Sequence, residues 1–268
     1  MFLRERLSLG PFTNRRRLET PAVDAFDPYE LAAEAMTAAV FVWQRRLSNE
    51  TGSIDVARRL VHTASTLDLG EAKDNVLSAL GRLEEDETSH AEIARAVLTR
   101  LGRPEAVAVD VLGPLPNESA ERSFARQVVA ALCIAETVSA ARYAAVRDAT
   151  DLEIPHACID VLLKDEVQHG VLGFSLLPLA IDRLGGDDGH AFVESIITDA
   201  LRLLDRTVGM DAERRGMLEA RPQPACNPGV VEPAIDALAF YDAVERTIIP
   251  SFEKAGIDAA GAFRRRFA

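Results

Sequence analysis

Two short motifs in this 268-residue chain could carry metal chemistry. DETSH sets Glu87 and His90 three residues apart, and DEVQH repeats that spacing with Glu166 and His169. Residues three apart on an α-helix share a face, so each motif aims a carboxylate and an imidazole at one point. One such pair can ligate a first-row metal, and two facing pairs need further carboxylates to bridge the metals and balance their charge. Chance sets a low bar: five histidines give about half of one Glu-x-x-His at random. The chain has a third copy, Glu153-Ile-Pro-His156, whose internal Pro155 is expected to leave Glu153 ahead of its helix and the motif idle.

Two more carboxylates complete the set. Glu136 lies in VVAALCIAETVSAARYAAV, among small and apolar residues. A carboxylate buried there costs several kcal/mol, on the order of the penalty for any uncompensated buried ion, unless a metal or a cation such as Arg142 offsets it. The other candidate must come from the first helix, which offers Glu34 and Glu50. Glu50 stands about 16 residues before the end of that helix, and Glu87 about 16 after the start of the next, so at a rise of about 1.5 Å per residue they lie at the same depth. Glu34 would miss by about 24 Å on the same rise. Glu136 and Glu166 pass the same test, about 13 residues on either side of their turn. The expected metal ligands are Glu50, Glu87, His90, Glu136, Glu166 and His169, the pattern of di-iron and di-manganese carboxylate bundles.

Asp86 and Asp165 each precede a ligand glutamate. A carboxylate that accepts the outer N–H of a metal-bound imidazole fixes its tautomer, and each Asp is expected to bond the histidine of the opposite hairpin. A possible pocket is read from Trp43, Cys133, Ser139, Ala140, Tyr143 and Leu162. The small side chains near Glu136 leave room for a ligand or for close helix packing, and Trp43 and Tyr143 lie on the ligand faces, where core packing is the leading role.

These residues require long helices, and helical periodicity dominates the chain. The spacing predicts a first helix from Asp27-Pro28 to about Thr66, and a second over Glu71 to Leu101 with Val76, Leu80, Leu83, Glu87, His90, Ala94, Val97 and Leu101 on one face. Gly102 to Pro116 is a connection, followed by a third helix from Glu118 to Ala149. A fourth runs from Pro155 to Leu184, kinked at Pro178 and ended by Gly185-Gly186. Two additional helices are expected, His190 to about Ala220 and Pro233 to about Ala255, the latter bent at Pro250. RPQPACNPGVVEP between them reads as a loop. The fold class is all-α in a single domain over 1–268, with a core bundle at about 28–184 and additional helices at about 190–255.

Composition narrows the partners. A 48% hydrophobic share with 27% charged residues supports a packed core. A net charge of −12 repels phosphate, so nucleic acid is not an expected partner. Cys133, Cys158 and Cys226 are too scattered for a disulfide framework or a zinc knuckle, which fits a reducing cytoplasm. No signal-peptide run and no stretch of about 18 uninterrupted apolar residues suggests a membrane role.

WQRRLSNE around Glu50, IAET around Glu136 and KDEVQHG around Glu166 resemble the ferritin-like superfamily of dimetal-carboxylate proteins, and within it bacterial ferritin-like proteins related to arylamine N-oxygenases. The resemblance spans about residues 28–184. It implies a four-helix bundle, two metal ions (iron, manganese or a mixed pair), dioxygen as co-substrate, a small-molecule substrate, an electron donor and a homodimer. Those oxygenases carry an additional histidine ligand one turn before the last Glu-x-x-His, where this chain has Leu162. Iron storage, ferroxidase activity and a structural metal site are the other functions the superfamily offers. About 80 residues after Gly186 exceed what a ferritin needs, and no paired-cysteine module of rubrerythrin type is present. An oxygenase or oxidase acting on a small organic molecule is therefore the leading expectation.

Overall fold

The computed structural model describes residues 9, 18–103, 118–208 and 226–267, and among them there is no strand. Among these described residues seven helices follow in order: α1 Ala33–Thr66, α2 Lys73–Arg100, α3 Ala120–Ala149, α4 Glu153–Leu184, α5 Gly186–Thr207, α6 over residues 233–254, and α7 Ala259–Arg265. Helices α1 and α2 form one hairpin and α3 and α4 the other. The hairpins join through α1 against α3 and α2 against α4.

The direction of each helix follows from its buried residues. The C-terminal half of α1, the N-terminal halves of α2 and α3 and the C-terminal half of α4 share one apolar cluster that includes Leu60, Leu80, Leu132 and Leu176. The opposite ends share a second cluster, with Trp43, Val97, Val146 and Leu162. Helices α2 and α3 therefore run in the same direction, which is the single-crossover arrangement of ferritin-like bundles. The eight periodic positions expected on α2 are all buried. Between the two apolar clusters lies a polar layer at Glu50, Asp86 to His90, Glu136 and Asp165 to His169.

Several boundaries differ from the sequence reading for local reasons. Asp27 does cap a turn, accepting from Tyr29 N at 3.0 Å, but it is a single 3-10 turn over Pro28–Glu30. Leu31 then turns extended and buries its side chain, so α1 begins at Ala33. Glu153 lies inside α4, in its first turn, where a proline removes no needed hydrogen bond because the first amides of a helix have no partner. Glu153 and His156 are both exposed. Pro178 is accommodated within α4. The wide turn Val244–Ile248 precedes Pro250, which lacks an amide proton and needs room for its ring. Three helices rather than two follow the bundle among the described residues. The sequence reading missed α7, which starts at Asp258 accepting from Gly261 N at 2.8 Å. The expected extension of the fifth helix beyond 208, most of the connection at 102–116 and the loop residues 221–225 fall outside the described residues.

Helix α3 is long and apolar enough, by length and composition, to cross a membrane. Here it packs against α4, α5 and α6 and carries a buried carboxylate. Its middle, Val128–Glu136, is a π-helix, the wider form that recurs at functional sites. Gly173 of α4 lies tight against this segment: a Cβ there would sit 2.6 Å from the Leu132 carbonyl carbon and 2.7 Å from Cys133 N. Backbone cannot yield as a side-chain tip can. Gly173→Ala is expected to cost about 1–3 kcal/mol in urea denaturation, the range of overpacked cores. A loss within error would show that α3 and α4 re-space freely.

Candidate metal centre

Each helix of the bundle contributes to the polar layer: Glu50 from α1, Glu87 and His90 from α2, Glu136 from α3, Glu166 and His169 from α4. The structure brings these six side chains together, all buried. They fall into two groups able to hold a metal ion, Glu50, Glu87, His90 and Glu166 on one side, and Glu87, Glu136, Glu166 and His169 on the other. Glu34, the candidate excluded on depth, is exposed.

Both imidazoles point Nδ1 inward. His90 Nδ1 lies 3.3 Å from Glu50 Oε2, 3.6 Å from Glu87 Oε2 and 4.0 Å from Glu166 Oε1. His169 Nδ1 lies 3.0 Å from Glu87 Oε1, 3.8 Å from Glu136 Oε2 and 3.9 Å from Glu166 Oε2. Glu87 and Glu166 thus present one oxygen to each half. Proximity here is not hydrogen bonding: both oxygens of Glu87, Glu166 Oε2 and both Nδ1 atoms are buried without a hydrogen bond. Buried polar atoms are almost always satisfied, so five such orphans facing one another mark a place built for something else.

The outer nitrogens face the two aspartates across the hairpins. His90 Nε2 is 3.1 Å from Asp165 Oδ2, and His169 Nε2 is 3.5 Å from Asp86 Oδ2. Arg82 holds Asp86 from the other side, at 3.1 Å. His90 Nε2 is hydrogen-bonded to its aspartate and His169 Nε2 faces the other one, an arrangement that would leave each Nδ1 free of its proton to ligate a metal.

The carboxylates and imidazoles of the layer shift one another's protonation. Burial, together with the charge of Glu136, drives Glu166 well above the ordinary carboxylate range. Burial raises Glu50 as well, against the pull of His90. Burial would raise Glu87 too, but its contacts with His169 and His90 prevail and hold it low. Both histidines are pushed well above their usual value: burial opposes the charge, and the surrounding carboxylates, led by Asp165 for His90 and Asp86 for His169, outweigh it.

The residues read as a pocket separate into two kinds. Tyr143 belongs to the layer, its hydroxyl donating to Glu50 Oε1 at 2.7 Å. Burial and the Glu50 charge push that phenol well above its usual pKa. Trp43, Leu162 and Ala140 are buried in the second apolar cluster, Ser139 is half-buried, and Cys133 is packed in the first cluster, where Gly173 closes on it. Close helix packing therefore fills the space beside Cys133. A cavity of about 10 Å³ adjoins the layer elsewhere, lined by Arg82, Asp86, Gln168, His169 and three apolar residues. That is room for about one water.

Arg46 escaped the sequence reading. It stands one turn before Glu50, buried, with its guanidinium 4.5 Å from the Trp43 ring and 5.9 Å from the Tyr143 ring. It donates to the Gly229 carbonyl at 2.6 Å, while Trp43 Nε1 donates to the Pro228 carbonyl at 2.9 Å. The stretch around Asn227 is thus tied to α1, and Asn227 itself is fully buried. The spacing of four from Glu50 was the available signal.

No family model and no curated protein matches the chain. Among solved structures it is similar to a protein with aldehyde deformylating oxidase activity from Synechococcus, at a TM-score of 0.58 and 17% identity, over 88% of this chain and 97% of that one. The fold is ferritin-like. At that identity the likeness speaks for architecture, and the chemistry must be argued from the buried layer.

Proposed function

We propose that the layer binds two metal ions, iron in both positions, and that the chain is a non-haem dimetal oxygenase or oxidase using dioxygen to oxidise a small organic molecule. The observation that carries this reading is the convergence of four buried carboxylates and two imidazoles with five donor atoms left unbonded. Two divalent ions carry +4, which matches the four carboxylates and leaves both imidazoles neutral. Iron or manganese suits this mixture of oxygen and nitrogen donors, and such a pair would supply the electrons and open coordination positions that dioxygen reduction requires.

The chain's own groups take distinct parts in this reading. His90 and His169 ligate through Nδ1, oriented by Asp165 and Asp86. Glu87 and Glu166, each with one oxygen toward either half, would serve both ions. Glu50 and Glu136 are terminal, and Glu136 is the most open of the six, its side chain 10% exposed against 4% for Glu50 and 1% for Glu87. Substrate or dioxygen would meet the layer on that side. Leu162, buried where arylamine N-oxygenases carry an extra histidine, adds no further ligand. The likeness to an aldehyde deformylating oxidase supports aldehydes as one substrate class to try, and the sequence resemblance supports arylamines as another.

Dioxygen uptake by the ferrous-loaded protein tests the reading. An aliphatic aldehyde or an arylamine is expected to raise the rate at least about tenfold over protein alone, a barrier change of about 1.4 kcal/mol. Uptake that scales with added ferrous ion and ignores every organic probe would instead identify a metal-handling protein.

A further inference from the structure

The two halves of the layer are held differently. Glu50 Oε1 accepts from the Tyr143 hydroxyl at 2.7 Å, and its Oε2 faces His90 Nδ1 at 3.3 Å. His90 in turn has Asp165 at 3.1 Å. On the other half, the ion-pair partner of Glu136 is His169 Nδ1 at 3.8 Å, and His169 has Asp86 at 3.5 Å. Glu136 ends the π segment, is the more exposed of the two terminal glutamates, and shares its half with the cavity beside His169.

Tyr143 is itself fixed. Tyr143 is 8% exposed, and the Arg46 guanidinium lies 5.9 Å from its ring and 4.5 Å from that of Trp43. Arg46 and Trp43 are anchored to the carbonyls of Gly229 and Pro228. A phenol hydroxyl held this way occupies one lone pair of Glu50 Oε1 and favours Oε2 as the ligating atom. Glu136 meets Glu166 and His169, both among the six side chains, and among the described residues no group beyond those six bonds it as Tyr143 bonds Glu50.

We propose that Tyr143 is a positioning residue that holds Glu50 to ligation through Oε2 alone, so that carboxylate rearrangement during ligand exchange is confined to Glu136. The proposal rests on the metal-centre reading, and it makes the His90 position the ordered, tighter one and the His169 position the exchangeable one. It also gives a role to Arg46, Trp43 and the Pro228-Gly229 turn, which together set the height of the Tyr143 hydroxyl.

Cobalt(II) binding to the full-length protein tests it, followed by calorimetry and by crystal structures at one and two equivalents. Tyr143→Phe is expected to bind two cobalt ions with the tighter step weakened about 10- to 100-fold, as for loss of other groups that orient metal ligands, and the weaker step changed less than about threefold. In the wild type, Glu50 keeps Oε1 on Tyr143 at both loadings, while the Glu136 carboxylate changes position between them. Unchanged affinities in Tyr143→Phe overturn the proposal, as does a Glu50 that rotates off Tyr143 when loaded. If Tyr143→Phe does not fold, the two wild-type structures decide alone. A wild type that binds no cobalt overturns the metal-centre reading itself, whereas two bound ions with a rotating Glu50 overturn only the proposal about Tyr143.

Discussion

Glu166→Gln is expected to make the metal-free protein more stable while removing its capacity for two metals. Glu166 is 2% exposed, and burial and the neighbouring Glu136 charge both disfavour its ionised form. Glutamine keeps the shape and takes away the charge. Removing that disfavoured ionisation without opening a cavity is expected to gain at least about 1 kcal/mol, the worth of a single pKa unit, read in urea denaturation with a chelator present. The same change removes one of the two glutamates that face both halves, so metal loading falls below two per chain. A residue kept at the expense of stability is one retained for what it binds. A destabilised metal-free Glu166→Gln would instead mean that the carboxylate is satisfied by the protein and that the layer is a polar core network.

The second large effect is a reversal of pH dependence on loading. Both histidines have folded pKa values raised above 6.5, so the stability they confer on the metal-free chain is complete below that value and is lost as pH rises through the folded one. Glu50 and Glu166, raised above 4.5, act in the same sense, because the folded state holds their protons more tightly than the unfolded chain does. Glu87 acts oppositely, and its contribution is lost only as pH falls below 4.5. From pH 6 upward the metal-free protein is therefore expected to lose stability. Metal binding requires deprotonated ligands, so its contribution grows over the same range. The melting temperature of the manganese-loaded protein minus that of the chelated protein is expected to widen by at least about 5 °C from pH 6 to pH 8.5. A difference that stays flat would show that metal binding displaces no protons from the layer.

Much of this arrangement could be read from residue spacing because helices are regular rulers. Glu50 was separated from Glu34 by rise per residue alone, and the crossed facing of Asp86 and Asp165 on the histidines follows once two hairpins are aligned at one depth. The ruler fails where the backbone is not an α-helix. The π segment through Glu136 has no signature in VVAALCIAE, since nothing in local propensity separates a wide turn from a narrow one in an apolar run. The start of α1 was misplaced because Leu31 turns toward the core, a choice made by tertiary burial and not by the Asp27 cap. Small residues beside Glu136 were ambiguous between a pocket and tight packing. Gly173, on another helix, decides for packing at Cys133, and partners across helices are what a single sequence shows least. Arg46 and Trp43 illustrate the same limit: their spacing sets them on the Glu50 side of α1, while the turn at Pro228 and Gly229 that anchors them is about 180 residues away.

Ferrous ion bound per chain under anaerobic conditions tests the central claim most directly, with Glu87→Ala as the paired variant. Glu87 faces both halves of the layer and neither of its oxygens has another hydrogen-bond partner. Two ions per wild-type chain and none retained in Glu87→Ala is the result expected. Fewer than two ions in the wild type, or full loading in the variant, would contradict a dimetal centre at this layer.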